Sequence, residues 1–204
     1  MIKILEHPLV QNDLRILRDS NTNTEQFRNA SHRIGLHLAI ESTKELLCEE
    51  ITVQTPLEST NAIKIKGKLI IIPIIRAGIG LLSAFQEIYP NAIFGYVGMR
   101  RNEKTFLAEE YYYSIPQIEP DDKIIILEMM IATGISTCTA LNKLQLDGIS
   151  NVTIVSIISA PEGIEKIRTE FPDTKIITAV LDRELNENKY ILPGLGDAGD
   201  RFSG

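Results

Sequence analysis

The stretch Ile124 to Ala140, IIILEMMIATGISTCTA, narrows the possible folds more than any other part of this chain. It opens on a short apolar run, Ile124-Ile125-Ile126-Leu127, rich in β-branched residues. That composition predicts a buried strand. Glu128 follows at the expected end of the strand. The loop Thr133-Gly134-Ile135-Ser136 comes next, and then helical spacing through Ala140, Leu141, Leu144 and Leu146. A helix start surrounded by small and hydroxyl side chains offers backbone N–H groups to an anion. An acid beside it can accept hydrogen bonds from sugar hydroxyls. The pattern points to a site for a phosphorylated sugar. An ordinary βα turn is the alternative that this stretch leaves open.

The same rhythm recurs along the chain. Residues 69–75, 93–97, 152–158 and 176–181 also read as strands, with helical segments between most of them. This predicts an α/β fold with a parallel sheet core and helices on both faces. The run Leu69 to Ile75 leads into Arg76-Ala77-Gly78-Ile79-Gly80. In parallel α/β sheets, ligands collect outside the carboxyl ends of the strands. A guanidinium there suits phosphate, whose oxygens it binds in pairs, and a surface arginine at a helix start is the alternative.

Four other segments carry expectations. Residues 1–20 read as an arm that packs on the body or on a partner. Thr22-Asn23-Thr24-Glu25 fits a capping box ahead of a long helix through Phe27, Ala30, Ile34 and Leu38, with Leu46 and Leu47 near its end. Ile51 to Thr55 reads as a half-exposed strand and Asn61 to Gly67 as a turn. Gly98 to Pro116 breaks the rhythm with Arg100, Arg101 and Lys104, then Glu109-Glu110-Tyr111-Tyr112-Tyr113. It predicts a hairpin or lid, in which the tyrosines equally fit a strand packed on both faces. Residues 190–204 show no helix or strand pattern. Ile191, Leu192 and Leu195 nonetheless argue against a solvated tail.

A chain of 204 residues predicts one domain. It divides into an N-terminal arm and helix (1–50), a core (69–181) and a C-terminal segment (182–204). The net charge of −6, without a Lys/Arg block, leaves no footprint for nucleic acid. No apolar run reaches membrane length. Cys48 and Cys138 lie far apart, which fits a reduced compartment. His7, His32 and His37 form no metal-ligand spacing, so no protein-made metal site is expected. Isoleucine makes up 32 of the residues, the mark of an AT-rich genome. The expected location is the cytoplasm, or a plastid stroma if the gene is organellar.

With the Arg76 turn, the Arg101 excursion, the Thr133-Gly134 loop and the C-terminal segment together, the chain resembles the uracil phosphoribosyltransferases. The resemblance spans His7-Pro8-Leu9 to Arg201. It includes PIIRAG (73–78), EYY before Pro116, APEG (160–163) and LNENKYILPGLGDAGDR (185–201). It implies a type I phosphoribosyltransferase fold with a small hood from the C-terminal segment. The implied reaction joins uracil to 5-phospho-α-D-ribose 1-diphosphate, giving UMP and diphosphate, with Mg2+ carried by the sugar diphosphate. By position, Arg76 and Arg101 would hold the diphosphate. Glu128, Met129, Met130, Ile131, Ala132, Thr133, Gly134, Ile135 and Ser136 would hold the ribose and its 5-phosphate. Ile191, Gly196, Asp197 and Ala198 would meet uracil, with Asp197 also facing the sugar diphosphate. Arg76, Glu128 and Asp197 would carry the chemistry. A homo-oligomer and a GTP effector are also implied.

The family loop reads D-P-M-L-A-T-G-G-S. Glu128 lengthens the acid by one methylene, Met129 replaces proline and Ile135 replaces the second glycine. If position 135 needs φ > 0 or close approach of phosphate, its β-branched side chain predicts strain of about 1–3 kcal/mol, and Ile135→Gly a faster enzyme. The departures imply a slow enzyme, an altered ribose pose, or a homologue that binds uracil or nucleotide without turning it over.

Overall fold

Isoleucine and valine fill the middle of the molecule, as the apolar runs require. The structure is a computed structural model that describes residues 1–101 and 108–204. Lys104, in the expected lid, and the side chain of Arg101 lie outside the described residues.

The chain runs β1 (Ile2–Ile4), α1 (Pro8–Arg18), α2 (Thr24–Ser42), β2 (Cys48–Gln54), β3 (Ser59–Ile65), β4 (Leu69–Ile75) and a 3-10 turn over Ala77–Leu81. It continues through α3 (Leu82–Ile88), β5 (Ile93–Phe94), β6 (Tyr96–Arg101), β7 (Ala108–Ser114), β8 (Lys123–Ile131) and α4 (Ile135–Leu146). Then come β9 (Val152–Ser159), α5 (Pro161–Glu170), β10 (Lys175–Leu181), β11 (Glu184–Leu185), β12 (Ile191–Leu192) and α6 (Ala198–Ser203).

The central sheet has the order β1-β10-β9-β8-β4-β6-β7, with β5 also on β4. Its pairings are parallel except for β6 with β7. Every residue of β9 and all but the last of β4 is buried, because helices cover both faces. One face packs Ile71, Ile125 and Val155 against Leu14, Leu17, Phe27, Ile34 and Phe85 from the first three helices. The other packs Ile70, Ile126 and Ile154 against Leu141, Leu144, Ile164 and Ile167 of α4 and α5. From β4 the chain moves to β6 on one side, and from β8 to β9 on the other. The gap between β4 and β8 is therefore the topological switch point, where such sheets bind ligands.

Several boundaries differ from expectation. The helix cap is Asn23, whose side chain accepts from Gln26 N–H at 2.9 Å while Gln26 reaches back, so the box sits one residue later than Thr22-Glu25. That helix stops at Ser42, before Leu46 and Leu47. Asn61 to Gly67 is mostly strand β3, paired with β2. Its alternation is weak because the hairpin is largely exposed on both faces, with Ile63 at 74% exposure. The N-terminal arm adds β1 to the sheet beside β10 and lays α1 on α2. The C-terminal segment forms the β11–β12 pair and the short helix α6.

Phe27 is fully buried, and the Arg201 guanidinium lies 4.6 Å from its ring centre. Phe27→Ala is expected to cost about 3–5 kcal/mol in urea unfolding, through lost contacts and the cavity left behind. A loss below about 1 kcal/mol would show that the ring carries little of the packing between core and C-terminal segment.

Candidate active site

Three loops meet at the carboxyl edge of the sheet around the switch point. The first follows β4. Arg76 is exposed at its turn, after an Ile75–Arg76 peptide that is cis. Gly78 presses the turn onto β8: a β-carbon there would sit 2.3 Å from the Leu127 carbonyl oxygen. No larger residue fits without moving backbone.

The second loop, Ala132 to Gly134, joins β8 to α4. Gly134 holds φ +74°, in the left-handed region that glycine adopts without penalty. A β-carbon on it would also meet the Gly163 carbonyl oxygen at 2.7 Å. The α4 helix begins at Ile135, and its first intrahelical donor is Cys138 N–H to Gly134 O at 2.9 Å. The N–H groups of Ser136 and Thr137 therefore have no carbonyl partner within the helix and point out of its start. Thr133 Oγ1 accepts a long bond from Ile135 N–H at 3.5 Å. This is an anion-binding arrangement. Ile135 itself is helical, and Lys189 is the one non-glycine among the described residues with positive φ. The backbone strain expected at Ile135 is absent, which leaves close approach of phosphate as the ground for expecting Ile135→Gly to speed turnover.

Glu128 is not at a strand end. β8 continues to Ile131, because Met129 and Ile131 carry the apolar pattern onward, both buried. Glu128 thus lies three residues inside the strand, opposite Ser156 of β9, and is 8% exposed. Its Oε2 is buried without a hydrogen-bond partner. Burial raises its pKa to about 8, so it holds a proton at neutral pH. Met129, Met130 and Ile131 are strand residues, the loop proper is Ala132 to Gly134, and Ile135 and Ser136 open α4.

The third loop follows β9. In Ala160-Pro161-Glu162-Gly163, a β-carbon on Gly163 would lie 2.4 Å from Ala132 O, so the second and third loops are in backbone contact. Glu162 Oε1 accepts from Leu185 N–H at 2.8 Å. That bond carries the contact onward to the C-terminal segment, read above as a hood, which forms the β11–β12 pair and α6. Ile191 is buried in β12 and Ala198 is fully buried, while Gly196 and the Asp197 side chain are exposed. Asp197 caps α6 by accepting from Asp200 N–H at 3.0 Å. Phe202 of α6 lies near Gly80 of the Arg76 turn, so hood and turn adjoin.

Arginines fasten the hood to the N-terminal helices. Arg201 donates to Leu17 O, to Leu195 O at 2.8 Å and to Asp19 O at 2.7 Å. Arg28 donates to Phe202 O at 2.7 Å. Glu162 escaped sequence reasoning as a contact between the loops; the available signal was an acid inside the short motif Ala160–Gly163. The β6–β7 hairpin stands beside the edge as expected, with Arg100 Nε 3.2 Å from Glu109. Tyr111 and Tyr112 are exposed, whereas Tyr113 donates to Asp147 at 2.5 Å beyond α4. Among the described residues no three His, Cys, Asp or Glu side chains gather as a metal site. The unpartnered Glu128 oxygen fits a ligand hydroxyl or the water of a cation brought by a ligand.

The parallel sheet, its switch point and the free N–H groups at the start of α4 make an α/β fold suited to a phosphorylated ligand at its carboxyl edge, as in the type I phosphoribosyltransferases. Consistent with that fold, the chain superposes on hypoxanthine phosphoribosyltransferase from Trypanosoma cruzi with a TM-score of 0.50 at 11% identity, covering 80% of each chain. It superposes on protein AQ2163 from Aquifex aeolicus with a TM-score of 0.93 at 33% identity, over 99% of this chain and 97% of that one. The family profile described as uracil phosphoribosyltransferase matches residues 4–204. Proteins of that name from Fervidobacterium nodosum and Streptococcus salivarius are 42% and 41% identical, over 99% of this chain and 98% and 97% of theirs. The chain belongs to the uracil phosphoribosyltransferase family.

The raised pKa of Glu128 gives stability a sign. The folded chain binds this proton more tightly than the unfolded chain, so the group's contribution is full at acid pH. It is lost as pH climbs from the ordinary carboxylate range through about 8. Glu128→Gln is expected to remove on the order of 3 kcal/mol of the stability decline between pH 5 and 8.5. Equal slopes for parent and variant in urea unfolding across that range would place the carboxyl in water.

Proposed function

We propose that this chain transfers the 5-phosphoribosyl group from 5-phospho-α-D-ribose 1-diphosphate to uracil, forming UMP and diphosphate. The observation that supports it most is the 42% identity over 99% of the chain, hood included, to a protein of that name. In the reaction, uracil N1 forms a bond to ribose C1. The bond from C1 to the diphosphate oxygen breaks, and the N1 proton is lost.

Each loop has a task in this reading. The N–H groups at the start of α4, with Thr133 and Ser136 beside them, hold the 5-phosphate around Gly134. Ala132 and Ile135 shape that cradle. Glu128, protonated before the ligand arrives, can donate one hydrogen bond and accept others from ribose hydroxyls. Met129, Met130 and Ile131 keep that acid in place as strand residues. Arg76, with Arg101 from the hairpin, binds the diphosphate and stabilises the charge that grows as it leaves. Mg2+ belongs to the substrate, arriving on the sugar diphosphate, and supplies further positive charge. Ile191, Gly196 and Ala198 offer backbone groups to the edges of uracil, which rewards paired donors and acceptors strongly. The Asp197 side chain faces the sugar diphosphate, and the paired strands β6 and β7 limit water at the donor.

Purified protein with labelled uracil, the sugar diphosphate and Mg2+ is expected to form UMP. Arg76→Met should lower kcat/KM about a hundredfold, the usual scale for losing one group that stabilises developing charge. Folded parent protein that binds uracil and yields no UMP would overturn the reading.

A further inference from the structure

The turn Pro193–Gly199 contains Gly194, Gly196 and Gly199 and little side chain to define its shape. Left alone, so glycine-rich a segment samples many backbone conformations. Yet its start is held from both sides by one ion pair. Arg18, the last residue of α1, grips Asp182 with both terminal nitrogens, Nη2 to Oδ1 at 2.6 Å and Nη1 to Oδ2 at 2.9 Å. Asp182 Oδ2 also accepts Gly194 N–H at 2.9 Å. Arg18 Nη1 also donates to Gly194 O at 2.9 Å. Both backbone polar groups of Gly194 are thus spent on this pair. Asp182 is itself pinned, through its own N–H, to Ser159 O at the end of β9 at 2.8 Å. The Asp182 side chain is 3% exposed, so the pair works largely out of water. Two residues on from Gly194 lies Gly196, and Ile191 lies three before it.

We propose that Arg18 and Asp182 are positioning residues for uracil: by fixing Gly194, they set the backbone of the hood against the pyrimidine edge. The inference rests on the reading of the hood as the uracil site. Neither side chain need touch a ligand. The ordering of the turn is done in the folded chain, so uracil does not meet that cost on binding. The start of α4 is reached through Glu162 and Gly163, not through this pair, and Asp197, the one donor contact read in the hood, is held separately by Asp200 N–H at 3.0 Å, so the main effect of the pair falls on uracil.

The test compares uracil KM, donor KM and kcat in the parent and in the double variant Arg18→Met/Asp182→Leu. Removing both charges together avoids a lone buried charge, the usual reason that breaking such a pair unfolds a protein. Uracil KM is expected to rise about tenfold or more, with donor KM and kcat within about threefold. A merely structural role would lower the active fraction, seen as reduced kcat with both KM values unchanged, and that result overturns the proposal. Arg18→Lys keeps the charge and loses the fork, so a smaller rise in uracil KM is expected, and it decides the matter if the double variant does not fold. Gly196→Ala serves as control for the underlying reading, since φ +79° strains any side chain there. A raised uracil KM in the control with parent values in both Arg18 variants overturns the positioning role alone. Parent values in all variants overturn the hood as the uracil site, and the positioning role with it.

Discussion

At the carboxyl edge of the sheet two backbones touch where neither residue has a β-carbon. Gly163 meets the Ala132 carbonyl, and Gly134 meets the Gly163 carbonyl, both closer than any real side chain allows. This contact fuses the β8–α4 loop to the start of α5. Gly134 can then take its left-handed conformation and aim the first N–H groups of α4 outward. Glu162, next to Gly163, holds Leu185 at the base of the hood. The start of α4 and the C-terminal segment therefore share one piece of backbone. Any movement of Gly163 disturbs both.

The C-terminal segment is held by apolar burial and by charge together. Ile191, Leu195 and Ala198 join the core cluster, with Leu185 and Phe202 packed against it. Arginines add bonds to carbonyls: Arg201 to Leu17 and Asp19 of the N-terminal region and to Leu195 within the segment, and Arg28 to Phe202 and Ser203. Hydrogen bonds to charged groups outweigh neutral ones, and a guanidinium can make several at fixed angles. The N-terminal helices thus serve two ends. Their apolar faces complete the core, and the end of α1 and the start of α2 hold the C-terminal segment, 174 to 184 residues away in sequence. The gap between β4 and β8 supplies the crevice that these parts surround.

The parallel sheet was legible because buried strands require unbroken β-branched runs, and Leu69–Ile75 and Val152–Ser159 are such runs. The turn from β8 into α4 was legible from Thr133-Gly134, and glycine stands where the backbone takes its left-handed conformation. Other features depend on contacts that no local pattern encodes. Glu128 reads as a strand end, because an acid usually stops a buried run. Tertiary cover instead carried β8 on to Ile131 and left the acid inside. The β3 strand was hidden by its polar residues, since an exposed hairpin shows no alternation. The strain argued for Ile135 came from the family loop, whereas the backbone places the positive φ at Gly134 alone within that loop. The Arg18–Asp182 pair joins residues 164 apart, a distance over which sequence spacing is silent.

The most direct measurement is the donor KM of Gly163→Ala, taken in steady-state UMP formation beside a thermal melt. If the contact of the two loops builds the donor site, the folded variant shows a donor KM raised about tenfold or more, as displacement of a backbone anion cradle demands. A folded Gly163→Ala protein with the donor KM of the parent would contradict the account.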